Sequence, residues 1–193
     1  MKHMVETIKL EEGKVTMCNM PIIFTFTKSM YYIQKELETA LGERWKKIVY
    51  ECGKLDGTVC NSNYLALFHN DSEVKKLYSN KFEAFKFCVA EFNKMGKGKL
   101  EIIEVDTDKI HFVLRFYLNG IALAYLEHEK TTEPVCYHFA GVFAGATSVI
   151  YPGVEVVETK CMAKGDQYCE FVAELPKNRR YTLKNAKNLV TFY

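Results

Sequence analysis

The sequence predicts a mixed α/β fold of the α+β kind, in which an antiparallel sheet packs with helices. Three observations carry this. Apolar residues recur at three-and-four spacing over much of residues 29–92, which is the helical period. Beyond residue 100, short alternating runs are joined by tight polar turns, which marks hairpins. The 193 residues, 48% hydrophobic and 13% aromatic, hold enough apolar material for one core.

Taken in order, residues 7–26 alternate apolar and polar and contain Gly13 and Pro21, which predicts two short strands. Ser29 opens a helical pattern that pauses at Gly42 and resumes from Glu43 to about Cys60. Gly53 and Gly57 lie on one face of that second helix. In an exposed helix each would cost up to ~1 kcal/mol relative to alanine, so close packing against another helix is the expected compensation. Val74, Leu77, Tyr78, Phe82, Phe85, Val89 and Phe92 predict one further helix, with Asn70 and Glu73 forming its N-terminal cap and Gly96 ending it. This aromatic stripe reads as core, or as the wall of a ligand cavity.

Residues 100–105 and 110–117 read as a hairpin about Asp106, Thr107 and Asp108. Residues 118–130 allow two readings: Asn119-Gly120 can turn a hairpin, and residues 121–129 fit a short helix equally well. Thr132, Glu133 and Pro134 then start a helix with proline in its first turn. Ala140, Gly141, Ala144 and Gly145 give that helix a small-residue face. Residues 154–158 form a strand, 163–167 a turn, and Cys169 opens a returning strand.

Cys136, Glu158, Cys161 and Cys169 are three thiols and a carboxylate, the number and kind of ligands a tetrahedral zinc site requires. Cys161 and Cys169 face each other across the mouth of the last hairpin. Cys136 falls in the first turn of its helix, where unpaired amides and the helix dipole favour a thiolate. Glu158 and Cys161, three apart, point to opposite faces of a regular strand, so a bulge or an early strand end must bring them together. Three unrelated buried cysteines and a solvated glutamate are the competing reading.

Pro134-Val135-Cys136, Ala140-Gly141-Val142-Phe143-Ala144-Gly145, Glu158-x-x-Cys161 and Lys164-Gly165-Asp166-x-x-Cys169-x-Phe171 resemble the signature of the 4-vinyl-reductase (hydrocarbon-binding) domain family. Leu41-Gly42-Glu43 and Tyr50-Glu51-Cys52-Gly53-x-x-x-Gly57 resemble that family's early helix. The resemblance covers roughly residues 27–175, with 1–26 as a strand extension and 176–193 as a basic tail of one single-domain chain. It implies a ligand-binding fold related to nitric-oxide-sensing and vesicle-tethering (TRAPP-like) domains, often dimeric. In phenol-sensing members Cys, Glu, Cys and Cys hold zinc in this order, which carries over to Cys136, Glu158, Cys161 and Cys169.

Four ionised ligands around zinc(II) sum to about −2, which Lys160 and Lys164 can offset if they are more than surface lysines. Four protein ligands leave no open position, so the zinc is expected to be structural, Glu158 being the most displaceable ligand. The expected function is a binding module for a small hydrophobic or aromatic molecule, with Trp45, Phe85, His111, Tyr125 and His138 as candidate pocket residues. A dimeric scaffold or interaction subunit, and an accessory role in tetrapyrrole metabolism, are the alternatives. With no ATPase motif or DNA-binding helical pair beside the domain, a sensed signal is expected to pass to a separate effector or through a homodimer.

Other classes find little support. Gly96-Lys97-Gly98-Lys99-Leu100-Glu101 lacks the third glycine of a dinucleotide fingerprint, so a reductase has no readable source of electrons. No apolar run reaches the ~20 residues of a membrane span, and the N-terminus has no signal-peptide pattern. Seven cysteines, an odd number without a CxxC pair, argue against a disulfide framework. Reduced thiols fit a cytoplasmic address. A net charge of +2 gives little reason to expect nucleic acid; only the tail bearing Lys177, Arg179, Arg180, Lys184 and Lys187 is strongly basic.

Overall fold

The computed structural model describes residues 3–176, so the basic tail lies outside the described residues. The N-terminal stretch forms three short strands rather than two: β1 (Lys9–Glu11), β2 (Lys14–Met17) and β3 (Met20–Ile22), an antiparallel meander. Ahead of it a 3-10 turn seats the buried Met4 near Cys18, Tyr64, Val74 and Phe87. The buried Glu91 carboxylate fastens this segment, meeting the His3 ring at 2.6 Å, the Met4 amide and Lys94 Nζ at 3.1 Å.

Helix α1 (Thr27–Leu41) ends where Gly42, at φ 54°, turns its N–H back to the Glu38 carbonyl. Helix α2 (Arg44–Leu67) runs past Cys60, because Asn61 and Tyr64 continue its buried face. The aromatic stripe is two helices, α3 (Ser72–Ser79) and α4 (Lys81–Lys94), broken at Asn80. Asn80 accepts from the amides of Phe82 and Glu83, and such a side chain favours a fresh N-terminus over continuing a helix. Asp71, not Asn70, caps α3.

Strands β4 (Lys99–Asp106), β5 (His111–Tyr117), β6 (Glu155–Lys160) and β7 (Cys169–Glu174) make an antiparallel sheet in the order β4-β5-β7-β6. The ambiguous 118–130 segment resolves as α5 (Gly120–Leu126), capped by Asn119. Helix α6 (Tyr137–Ser148) starts later than proline placement suggests, with Cys136 as its N-cap and Pro134 in the approach. The covered face of the sheet presents Phe112, Leu114 and Phe116 from β5 and Cys169, Phe171 and Ala173 from β7, all buried. Phe116 and Phe171 meet Phe143 of α6 at ring-centroid distances of 5.8 and 5.0 Å.

Helix α2 packs along α6 through glycine on both sides. A Cβ at Gly53 would lie 2.0 Å from the His138 carbonyl oxygen, and one at Gly57 2.1 Å from that of Val142. Reciprocally, Gly141 and Gly145 lie under the Tyr50 and Lys54 carbonyls, each at 2.0 Å from the added carbon. One turn beyond Gly57, Asn61 donates to the Ala146 carbonyl at 2.9 Å and extends the seam. The compensation expected for two helix glycines is therefore real: their absent side chains set the distance between two backbones. No helix among the described residues is long and apolar enough to cross a membrane.

Candidate metal centre

The four predicted ligands come from three places in the fold and meet in its interior. Cys136 sits at the N-cap of α6, and its amide donates to Glu158 Oε2 at 2.9 Å. Glu158, on β6, pairs in register with Phe171 and faces the helices at 8% exposure. The register then slips: Lys160, not Thr159, pairs with Glu170, so Thr159 is a bulge residue. Strand β6 ends at Lys160, and Cys161 turns to the same buried side as Glu158. A bulge and an early strand end thus act together. The turn is closed by Asp166, which accepts from the Cys161 amide at 2.8 Å, and by Gly165 at φ 103°. Cys169 then opens β7 opposite Phe116.

One ligand atom from each residue lies within 4.8 Å of every other, and all four residues are buried. The Cys136 sulfur is 4.0 Å from that of Cys161 and 3.9 Å from that of Cys169. A disulfide needs about 2.05 Å, whereas two sulfurs on one tetrahedral zinc, each at about 2.3 Å, stand about 3.8 Å apart. Glu158 Oε1 is buried and has no hydrogen-bond partner among the described residues. A carboxylate oxygen in that state beside three sulfurs fits a metal ligand and little else.

The electrostatics agree. Burial pushes the Cys136 thiol well up. Burial and the Cys161 charge lift Glu158 to about 8, against the pull of the Cys136 amide. Cys161 moves the other way, drawn down by hydrogen bonds from Cys136 and Cys169. Left to itself the cluster keeps most of its protons and shares one negative charge; a divalent cation would take the place of the retained protons. Lys160 does not offset the charge of the ligands, since its ammonium pairs with Glu170 at 3.1 Å.

Asn119 is the residue sequence reading misses. Its Nδ2 donates to the sulfurs of Cys136 at 3.1 Å and Cys169 at 3.4 Å, while its Oδ1 accepts from the amides of Ile121 and Ala122. It is wholly buried. The local signal is only an asparagine ahead of a possible helix; the contacts to sulfur are visible only in three dimensions. The Met162 amide, 3.4 Å from the Cys169 sulfur, adds another donor.

The candidate pocket residues do not converge on one place. Phe85 lines an apolar cavity of about 90 Å³ with Cys88, Phe92, Leu114, Val142 and Phe143. Trp45 and Tyr125 line a separate cavity of about 320 Å³ that reaches Val135. His111 lies on β5, 3.6 Å from Glu174, and His138 on α6 is 3.1 Å from Asp56. Neither histidine lines either cavity.

Comparison with known proteins adds a family and a fold. The family model of the 4-vinyl-reductase domain matches residues 124–175, which include all four ligands. The uncharacterized protein MJ0150 of Methanocaldococcus jannaschii is 32% identical over 130 residues, 66% of this chain and 64% of that one. MJ0855 of the same organism is 51% identical over 49 residues, 23% of this chain and 21% of its own length. The chain thus spans less than two thirds of the length of either relative. Among solved structures, the phenol-responsive sensory domain of the transcription activator PoxR, solved with phenol, superposes with a TM-score of 0.74 at 17% identity. That match covers 92% of this chain and 89% of PoxR's. A trafficking protein particle complex subunit 3 from Naegleria fowleri, covalently bound to palmitic acid, gives 0.57 at 15% identity, covering 80% and 98%. At these identities the likeness is one of fold.

Proposed function

The chain carries a 4-vinyl-reductase domain at residues 124–175, and from that premise we propose that it is a zinc-held binding module for a small apolar or single-ring aromatic molecule. The observation that carries the reading is the apolar cavity between α2, α4, α6 and the sheet. Its walls are almost entirely hydrocarbon and sulfur: Phe85, Cys88, Phe92, Leu114, Val142 and Phe143. At about 90 Å³ it is smaller than the roughly 150 Å³ cavity known to admit benzene, so a single ring enters with slight adjustment. Thioethers and thiols, from Met4, Cys60, Cys88 and Met95, make the wall adaptable. The PoxR domain, of the same fold, was solved with phenol.

In this reading Cys136, Glu158, Cys161 and Cys169 hold zinc, which supplies cross-linking rather than reactivity. It ties the start of α6 to the β6–β7 hairpin, the two elements that also wall the aromatic core. Ligand occupancy is passed to a second copy or to a separate effector. Methyl NMR of the zinc-loaded chain, titrated with toluene, tests the binding claim. Saturable shifts at Leu114 and Val142, lost on filling the cavity with Val89→Phe, support it. Unmoved methyls up to the solubility limit refute it.

One observation favours the interaction-subunit reading beside this one. Ile23, Phe24 and Phe26 are 88%, 76% and 84% exposed, a run too apolar for an ordinary solvated linker. A second copy of the chain is the occupant that fits a dimeric module. Phe26→Asp should then convert a dimer to a monomer in sedimentation velocity; a wild-type chain that is monomeric throughout removes this reading.

A further inference from the structure

The cavity of about 320 Å³ beside Trp45 shares no lining residue with the apolar one. It lies between α1, the start of α2, α5 and the 129–135 segment. Its rim is charged but internally paired: Lys35 meets Glu38 at 2.7 Å and Glu129 at 3.1 Å, and Lys46 meets Glu43 at 2.6 Å and Glu133 at 2.5 Å. A charged ligand would have to break such pairs, whereas a neutral one leaves them intact.

The floor is different. Trp45 is 3% exposed, and its indole Nε1 is buried with no acceptor among the described residues. Behind the same wall, fully buried Gln34 donates to Tyr125 Oη and to the Val135 carbonyl, each at 3.1 Å. The Val135 contact fixes the orientation of the amide, since a carbonyl oxygen must face an N–H. That orientation leaves Gln34 Oε1 buried and also unpartnered. The Tyr125 hydroxyl, having accepted from Gln34, retains its own proton to donate. One orphan donor and one orphan acceptor, flanking a polar cavity with a neutralised rim, make a set of complementary contacts. Buried polar groups in folded proteins almost always find partners.

We infer that this cavity is a second small-molecule site, taking a neutral compound that bears a hydrogen-bond acceptor and donor on one group, a carboxamide or a hydroxyl. The acceptor atom meets the Trp45 indole N–H, and the donor meets Gln34 Oε1. The site is chemically unlike the apolar cavity and does not depend on it. Its wall includes Val135, the residue before the ligand Cys136, so an occupant abuts the segment that delivers the first sulfur to the metal centre.

The chain has a single tryptophan, so its one indole N–H resonance reports on this site alone. The test is to titrate the full, zinc-loaded, ¹⁵N-labelled chain with benzamide, benzyl alcohol and, as the matched apolar control, toluene. Benzamide and benzyl alcohol should shift the indole resonance saturably while toluene leaves it in place. Gln34→Leu should weaken benzamide about tenfold, the loss of one buried hydrogen bond, and Val89→Phe should not alter it. If Gln34→Leu does not fold, Tyr125→Phe, which frees the Gln34 amide from its anchor, should weaken binding in the same direction. An indole resonance unmoved by the polar probes means that solvent alone meets the N–H and overturns the inference. So does equal movement with toluene, or full affinity after removal of the Gln34 amide.

Discussion

The Asn119 side-chain nitrogen stands 3.1 Å from the Cys136 sulfur while the oxygen of the same amide caps α5. One buried group therefore fixes both a helix start and the direction of a metal ligand. N–H donors aimed at sulfur stabilise the thiolate and hold its geometry, as outer-shell groups do around metal sites generally.

Replacing Asn119 separates its two tasks. Asn119→Asp keeps an oxygen for the Ile121 and Ala122 amides but exchanges the sulfur-facing donor for negative charge. Zinc affinity, measured by competition with a chromophoric chelator, should fall about 10–100-fold. Asn119→Ala loses the cap as well, and should additionally destabilise the chain by about 1 kcal/mol in denaturant titration. Unchanged zinc affinity in the aspartate variant would show that the contact to Cys136 carries no weight.

Removing a ligand should cost more. Cys161→Ser is expected to abolish one-to-one zinc in elemental analysis and to lower stability by about 3 kcal/mol or more, because folded-state metal binding is itself folding free energy. For a chain of this size that is a Tm lower by roughly 6–12 °C. Chelation of the wild type should produce a change of the same sign, and Cys52→Ser, at an exposed position, should produce neither effect.

The α2–α6 seam should reject even one methyl. An alanine Cβ at Gly53 or Gly145 would meet a backbone carbonyl oxygen at 2.0 Å, and backbone cannot rotate aside as a side chain can. Overpacking costs about 1–3 kcal/mol, against a gain of up to ~1 kcal/mol from alanine's helix propensity. The helices must also separate for the methyl to fit, so the upper end is expected. Calorimetry should show Gly145→Ala melting several degrees below the wild type; a neutral or stabilised variant would mean the seam is looser than it looks.

Two thiols outside the metal centre predict alkaline weakness. Burial pushes Cys60 up to about 11 and Cys88 to about 12, from an ordinary 9.0. Between those values the folded chain keeps protons that the unfolded chain has released. The stability these thiols contribute is complete below about pH 9 and falls as pH rises through 11. Denaturant midpoints should therefore drop from pH 9 to 11, and the drop should shrink in Cys60→Ala. At pH 8 a thiol reagent should modify Cys52 well before Cys60 or Cys88 in the native chain.

Much of this was legible from local chemistry. Gly53, Gly57, Gly141 and Gly145 announce a close helix contact because glycine's cost in a helix needs a compensation within reach of that face. The hairpin about Asp106, Thr107 and Asp108 follows from alternation and turn residues a few positions apart. The four ligands are named by type and order, and the resemblance of residues 134–171 to the 4-vinyl-reductase signature agrees with the family match at 124–175. Each of these depends on interactions spanning a turn or two of chain.

What the sequence could not settle depends on groups far apart along it. The slip at Thr159 exists because β6 must keep register with β7 while Glu158 and Cys161 both stay buried. The break at Asn80 is a contest between an apolar period and a side-chain cap, and packing on opposite sides of Tyr78 decides it. Asn119 reaches Cys136 and Cys169, 17 and 50 residues away, and no local pattern encodes that reach. Trp45, Phe85, His111, Tyr125 and His138 look alike as aromatic residues on apolar stretches, yet the packing of α1, α5 and α6 sends them to four different surroundings. Local sequence sets which elements form and which atoms are available; the filling of the interior, a property of the whole chain, decides which of those atoms meet.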